Sequence, residues 1–336
     1  MDKLYHWAWI VGAGLVSVVV VVLAVLAWLW RDRADIADLP WSVEMAAGDN
    51  VEAVTATWFG ITTILFDDGE TQILIDGTFT RVGLADLLLF RQLASDVATI
   101  NYALAEYRIN RLAAIVPVHS HFDHAMDVGH VANRTTAVIL GSESTANIAA
   151  GAAVPVDQYQ ILADGESRHF GDFTITLIES KHAPIGPGRE AWFPGTIVEP
   201  LPQPARVPDW KEGVVYSIFI EHPRGTTLVQ GSGGFIAGNL RGRSADVVML
   251  GIAGLTGLGP DYVGEYWRET VGATGASTVY AVHIDDYTRP FGEILLFPDI
   301  ADDVLTTSGW IQELVSGAEP PIAMRRLPFG RPVALY

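Results

Sequence analysis

The chain has 336 residues, nearly half of them hydrophobic, with no cysteine and a formal net charge of −18. That length buries a sizeable core without help from disulfides, and the missing thiols exclude disulfide staples, thiolate metal sites and cysteine nucleophiles together. Lysine occurs only at Lys3, Lys181 and Lys211, so no basic patch stands ready to neutralise phosphates and nucleic acid is not expected as a partner.

From Trp7 to Trp30 the chain is uncharged and apolar apart from Ser17. At about 1.5 Å per residue a helix over residues 7–30 spans a hydrocarbon core of roughly 30 Å. Trp7 and Trp9 at one end, and Trp28 and Trp30 at the other, form the aromatic belts of a membrane interface. A cleaved signal peptide and a buried core helix are the competing readings. The stretch is long for a signal sequence, and no small-x-small cleavage site precedes Arg31. Residues 1–30 are therefore expected to be a single-pass membrane anchor. Lys3 on one side and Arg31 and Arg33 on the other nearly balance the positive-inside count; the short N-terminal tail tilts the expectation toward the remaining chain lying outside the cytoplasm.

Residues 31–50 read as a tether, and 51–336 as one layered α/β domain. Strands are expected at Val54–Phe59, Thr62–Phe66 and Gln72–Ile75, the last two joined through the turn formers Asp67, Asp68 and Gly69. Residues 83–110 carry leucines at helical spacing, and the uncharged run Leu112–Val118 reads as a buried strand. A helix is expected over 125–132, a strand over 137–140, and a helix over 142–150 capped by Ser142 or Ser144. Strands follow near 158–162 and 173–179. Residues 183–212 hold seven prolines and read as a long irregular connection of the functional kind. Strands return at 214–221, 226–230, 246–250 and 278–282, with helices over 261–271 and 299–315.

The densest chemistry lies at His119-Ser-His-Phe-Asp-His124, directly after a predicted strand. Histidines at alternate positions of an extended chain fall on one side, so His119 and His121 converge on one ion. Asp123 and His124 follow where the chain turns into a helix. Imidazole and carboxylate donors without sulfur suit zinc, iron or manganese.

The run His-x-His-x-Asp-His at a strand end resembles the signature of the metallo-β-lactamase-fold hydrolases. Trp58-Phe-Gly-Ile-Thr-Thr-Ile-Leu-Phe and Ile73-Leu-Ile-Asp-Gly77 resemble that family's first strands, especially in its phosphodiesterase and lactonase-like branches. The resemblance spans about residues 52–290. It implies a four-layered αβ/βα sandwich, here preceded by one transmembrane helix, with metals at one edge. It also implies that His182 and His283, each after a strand, complete the ligand set. His119, His121 and His182 would hold a first zinc, and Asp123, His124 and His283 a second. Asp123 would orient the attacking water and take its proton. The family's bridging aspartate has no counterpart: Ser232 stands in that turn, a much poorer ligand. One ion, an unusual bridge, replacement by Asp285 or Asp286, or lost catalysis are the open consequences.

Asp76 and Asp127 are candidates to orient a ligand imidazole. His6, His169 and His222 read as surface residues, His130 as structural, and Lys181 as solvent-facing or as a partner for an anion. The expected activity is hydrolysis of an ester, amide or phosphodiester in a small-molecule or lipid-like substrate, the lipid character suggested by the anchor and by Trp192, Phe193 and Trp210. The alternatives are a non-haem iron oxidoreductase on the same fold and a non-catalytic binding protein.

Overall fold

Alternation of apolar side chains decides the layering. Residues Ile64, Phe66, Ile73, Ile75, Ala114, Val116 and Leu140 pack into one buried cluster, while the intervening Leu65, Leu74, Ile115 and Ile139 pack into another. Successive residues of a strand point to opposite faces, so a sheet with both faces covered must lie between the two clusters. The computed structural model, which describes residues 2–48 and 53–336, contains that sheet.

In chain order the first strands are β1 (Thr55–Trp58), β2 (Ile64–Asp67), β3 (Gln72–Ile75), the two-residue β4 (Gln92–Leu93), β5 (Leu112–Val116), β6 (Val138–Gly141) and β7 (Tyr159–Ile161). The later ones are β8 (Ser167–Phe170), β9 (Phe173–Ser180), β10 (Ala205–Arg206), β11 (Val215–His222), β12 (Gly225–Gln230), β13 (Val247–Gly251), β14 (Thr278–Val282), β15 (Ala323–Arg326) and β16 (Val333–Ala334). The first sheet has the order β16-β1-β2-β3-β5-β6-β7 and the second β15-β14-β13-β12-β11-β9-β8; β4 and β10 form a separate pair. Parallel pairing at β3–β5 and at β12–β13–β14 requires crossovers; those from β3 to β5 and from β13 to β14 run through helices, and that from β12 to β13 through turns.

The helices are α1 (Asp2–Leu29), α2 (Leu84–Leu88), α3 (Val97–Glu106), α4 (Phe122–Ala125), α5 (Val128–Thr135), α6 (Glu143–Gly151), α7 (Pro260–Trp267) and α8 (Val304–Ser316). Ile100 of α3, Val131 of α5 and Ile148 of α6 cover the outer face of the first sheet. Tyr266 of α7 donates its hydroxyl to the Gly251 carbonyl at the end of β13 (3.0 Å), and Ile311 of α8 joins the same cluster. Helices, sheet, sheet, helices: this is the expected four-layered sandwich.

Several elements differ from the sequence expectation. Residues 83–110 are not one helix. Phe90 takes a left-handed backbone (φ 48°), which ends α2, and the chain then runs through β4 before Asp96 caps α3 with bonds to the amides of Ala98 and Thr99. Residues 125–132 are split between α4 and α5. The helix over 261–271 continues beyond α7 as a π-turn at Arg268–Gly272, and the 299–315 helix begins only at Val304.

The span Tyr5–Leu29 of α1 is long and apolar enough to cross a membrane, with none of it buried against the rest of the chain. Residues 32–47 do not run free as a tether. Leu39 and Trp41 are buried in the domain core, Arg33 pairs with Asp286 (3.0 Å), Glu44 pairs with Arg325, and Val43 bridges to Arg326. Leu39 and Trp41, with these ion pairs and the bridge, dock the segment onto the domain. Residues 49–52, where tether and domain were expected to meet, lie outside the described residues.

Candidate metal centre

The first sheet delivers four of the candidate ligands. β5 ends at Val116, and the amide of Val118 is held by Asp76 Oδ1 (2.9 Å), while the Val118 carbonyl accepts from the Tyr216 amide of the second sheet (2.8 Å). The loop is thus fixed from both sheets before it turns at His121 into α4. The second sheet delivers the other two. His182 follows β9 and pairs with Gly233 in an isolated bridge; His283 follows β14 and adopts a left-handed backbone (φ 53°), with its amide donating to the Ile61 carbonyl (2.7 Å). Such a conformation is uncommon for a residue with a side chain and persists where its surroundings enforce it.

All six candidates meet in one place. His119 and His121 turn ring nitrogens toward each other at 2.9 Å, and one donor atom each from His119, His121 and His182 lies within 4.8 Å of the others. His119, Asp123 and His124 form a second such group. Asp123 Oδ2 lies 3.5 Å from His124 Nε2 and 3.6 Å from His283 Nε2. Two further bonds orient the rings. His182 Nδ1 donates to the Ala183 carbonyl (2.7 Å) and His124 Nδ1 donates to Asp76 Oδ2 (2.8 Å). In each case Nε2 keeps its lone pair for another partner.

Burial holds His119 neutral far below its ordinary range, and four neighbouring imidazoles add to the effect. The same desolvation takes His121 down to about 4 and His182 to about 3. His124 shifts upward: its burial opposes the proton, but Asp123 and Asp76 more than compensate. Burial works against ionisation of Asp123 as well, yet His124, His283 and His121 hold its carboxyl well below the usual carboxylate range. Neutral His119, His121 and His182 beside an ionised Asp123 are the protonation states that metal ligation requires.

The donor set fits a metal. His119 Nε2 and His121 Nδ1, the nitrogens that face each other, are the ones an ion would take, while the other nitrogen of each ring is buried without a hydrogen-bond partner. The 2.9 Å between the facing nitrogens of His119 and His121 approaches the separation of roughly 3.3 Å expected for two ligands on a tetrahedral zinc with bonds of about 2.0–2.1 Å.

Asp285 and Asp286 do not supply a replacement carboxylate. Asp285 Oδ1 accepts from the Ile61 amide (2.7 Å), and Asp286 is taken up by Arg33, the Thr288 amide and the Thr288 hydroxyl. Ser232 does face the site, lining its cavity, and its hydroxyl donates to the Lys181 carbonyl (3.3 Å). Asp76 meets its expected role on His124 and also accepts from the Thr62 hydroxyl. Asp127 does not orient an imidazole; it holds the amides of Phe79 and Thr80 and the Thr80 hydroxyl. Nor is His222 a surface residue: its side chain is buried against Phe173 and lies 3.6 Å from Asp68. His6, His169 and Lys181 are exposed.

Above the histidines lies a cavity of about 400 Å³ whose walls include Leu87, Leu88, Phe90, Trp192, Phe193 and Phe297. Trp210 does not reach it, being fully buried in the core beside α3 and α5. Two polar residues of the wall had no sequence signal. Tyr287 sits near His283 (ring centroids 6.3 Å), its phenol pushed up by burial and by Asp123 and Asp286. Asp302, also pushed up by burial, accepts from the Gly254 amide (2.7 Å) and the Thr256 hydroxyl (3.0 Å).

The histidines and aspartate gather at one edge of the four-layered sandwich. Residues 56–191 match the Metallo-beta-lactamase superfamily, and the chain carries the metallo-β-lactamase fold. Among solved structures, CmlA, a diiron β-hydroxylase from Streptomyces venezuelae, aligns over 85% of this chain and 55% of its own at 14% identity, with a TM-score of 0.54. An isothiocyanate hydrolase from Delia radicum gut bacteria aligns over 84% of this chain and 99% of its own (13% identity, TM-score 0.49). Igni18, a metallo hydrolase from Ignicoccus hospitalis, covers the same shares (14% identity, TM-score 0.47). A comparison with curated proteins finds no match.

Proposed function

We propose that the chain is a membrane-anchored, metal-dependent hydrolase acting on an ester, amide or phosphodiester in a substrate with an apolar part. The observation that carries this reading is the convergence of His119, His121, Asp123, His124, His182 and His283 beneath one largely apolar cavity. His119, His121 and His182 would hold one ion, and Asp123, His124 and His283 a second. When bound, zinc at such a centre supplies Lewis acidity and brings the ionisation of water into the neutral range.

The chain's own groups account for the remaining steps. Asp123 stays ionised and accepts the hydrogen bond of the attacking water, fixing its lone pair toward the scissile carbon or phosphorus and receiving its proton. Tyr287 stays protonated and offers a donor where negative charge develops on the substrate. Leu87, Phe193 and Phe297 exclude bulk water and hold the apolar part of the substrate. Ser232 contributes a hydroxyl at the rim of the centre but no charge, so the pair of ions would be bridged without a carboxylate from that turn. His121→Ala is the test: the variant should lose metal and hydrolysis while melting as the native chain does. Full activity in a metal-free variant would falsify the reading.

One observation favours a second reading. The sulfur-free donor set suits iron as well as zinc, and the aligned CmlA is a diiron hydroxylase. An iron-dependent oxidation at the same residues would appear as iron, not zinc, in elemental analysis of the purified chain. Activity against diester, lactone, thioester and amide probes separates the two reactions.

A further inference from the structure

The point at which the chain leaves its candidate span is tied to the wall of the cavity. α1 ends at Leu29, and three residues later the domain grips the backbone. The Asp299 amide donates to the Asp32 carbonyl (3.0 Å), the Ala34 amide donates to the Asp299 carboxylate (3.3 Å), and Arg33 Nη1 reaches both Asp286 and the Leu296 carbonyl at 3.0 Å. Extended chain covers at most about 3.6 Å per residue, so Asp32 lies within roughly 11 Å of the helix end. The polar layer of a bilayer is about 5–8 Å deep on each side of the hydrocarbon. Segment 296–301 is thereby tied to within roughly 11 Å of the end of the candidate span, close to the depth of the headgroup layer.

That segment builds the cavity mouth. Phe297 and Ala301 line the cavity, and Ile300 between them is exposed. Around the same opening, Leu88 is 68% exposed, Leu89 60%, Phe90 45% and Trp192 45%, and Leu88, Phe90 and Trp192 are themselves lining residues. A contiguous apolar rim of this kind marks an interaction surface. The net charge of −18 gives the chain no attraction to anionic lipid, so the rim must engage the bilayer by apolar insertion.

We propose that the cavity mouth rests on the bilayer that α1 spans, with Leu88, Leu89, Phe90, Trp192 and Ile300 seated among the headgroups of zwitterionic lipid. The cavity then receives its substrate from the lipid phase: an amphiphile whose scissile polar group lies at headgroup depth. The inference rests on the anchored reading of α1 and not on the chemistry of the metal centre.

The absence of native cysteine makes every introduced thiol unique. Leu89→Cys and Ile300→Cys stand on the rim without lining the cavity, and Val156→Cys, 77% exposed and outside the lining, is the control. Each full-length variant is labelled with an environment-sensitive fluorophore, reconstituted into phosphatidylcholine vesicles, and titrated with lipid carrying a nitroxide near the headgroup. Rim side chains inserted about 5–10 Å into the interface predict at least about twofold quenching at positions 89 and 300 and next to none at 156. Either rim label behaving like the control overturns the docking. A chain that washes off the vesicles at high pH overturns the anchor and the docking together. Adding His121→Ala to the labelled chains separates this from the hydrolase reading, because quenching should persist when metal and activity are gone.

Discussion

Asp76→Asn probes how the fold tunes its centre. Asp76 is fully buried and has a left-handed backbone (φ 57°), which asparagine also tolerates. The asparagine keeps an oxygen for the Val118 amide, but its amide nitrogen cannot accept from His124 Nδ1, so both the negative charge and the 2.8 Å bond that orient His124 are lost. Groups that orient a ligand in this way are worth about 10–100-fold in metal affinity, or roughly 1.4–2.8 kcal/mol. The lost hydrogen bond to a charged group is worth about 1.5–3 kcal/mol of stability in the metal-free fold. Chelator competition with zinc, read by a fluorescent indicator, should show weakening by that factor for the ion held through His124. The ion held by His119, His121 and His182 should keep its affinity. Unchanged affinity throughout, with a native circular dichroism spectrum, would refute the role given to Asp76.

The remaining predictions follow from the same geometry. Gly234→Ala places a Cβ 2.2 Å from the Lys181 carbonyl oxygen and 2.6 Å from that of His182; the backbone carrying His182 must move, so metal stoichiometry should fall while most of the far-UV signal survives. Phe66→Ala, deep between the sheets, should cost about 3–5 kcal/mol in urea unfolding; a loss under 1 kcal/mol would contradict the inter-sheet packing. The metal-free chain should lose stability as pH falls from about 6.5 toward 4. Unfolded imidazoles take protons near 6.5 while folded His119, His121 and His182 resist them, so the unfolded state binds more protons in that window. The raised His124 opposes this, adding stability below about pH 6.5 that fades as pH rises through its folded value. Three depressed histidines against one raised give a net fall, measurable as melting temperature against pH with chelator present.

The ligand cluster was legible because its spacing is local: His119, His121, Asp123 and His124 sit within six residues, and a strand end brings them together unaided. His182 and His283 were legible through resemblance alone, since nothing within their own segments marks them as ligands. Tyr287 and Asp302 were not legible at all; each reaches the cavity through tertiary packing that local pattern does not encode. The break in 83–110 is not legible because leucines at 84, 87 and 88 set a helical rhythm that Leu104 takes up again beyond the point where Phe90 turns left-handed. Residues 32–47 were misjudged for a related reason. Charge and proline suggest a linker, yet the buried area of Leu39 and Trp41 outweighs that composition.

The six donors do not emerge together. About 160 residues separate His124 from His283, which at 5–20 residues per second is roughly ten to thirty seconds of ribosomal synthesis. During that interval the nascent chain displays His119, His121, Asp123 and His124 without His283, and for about its first third without His182 as well.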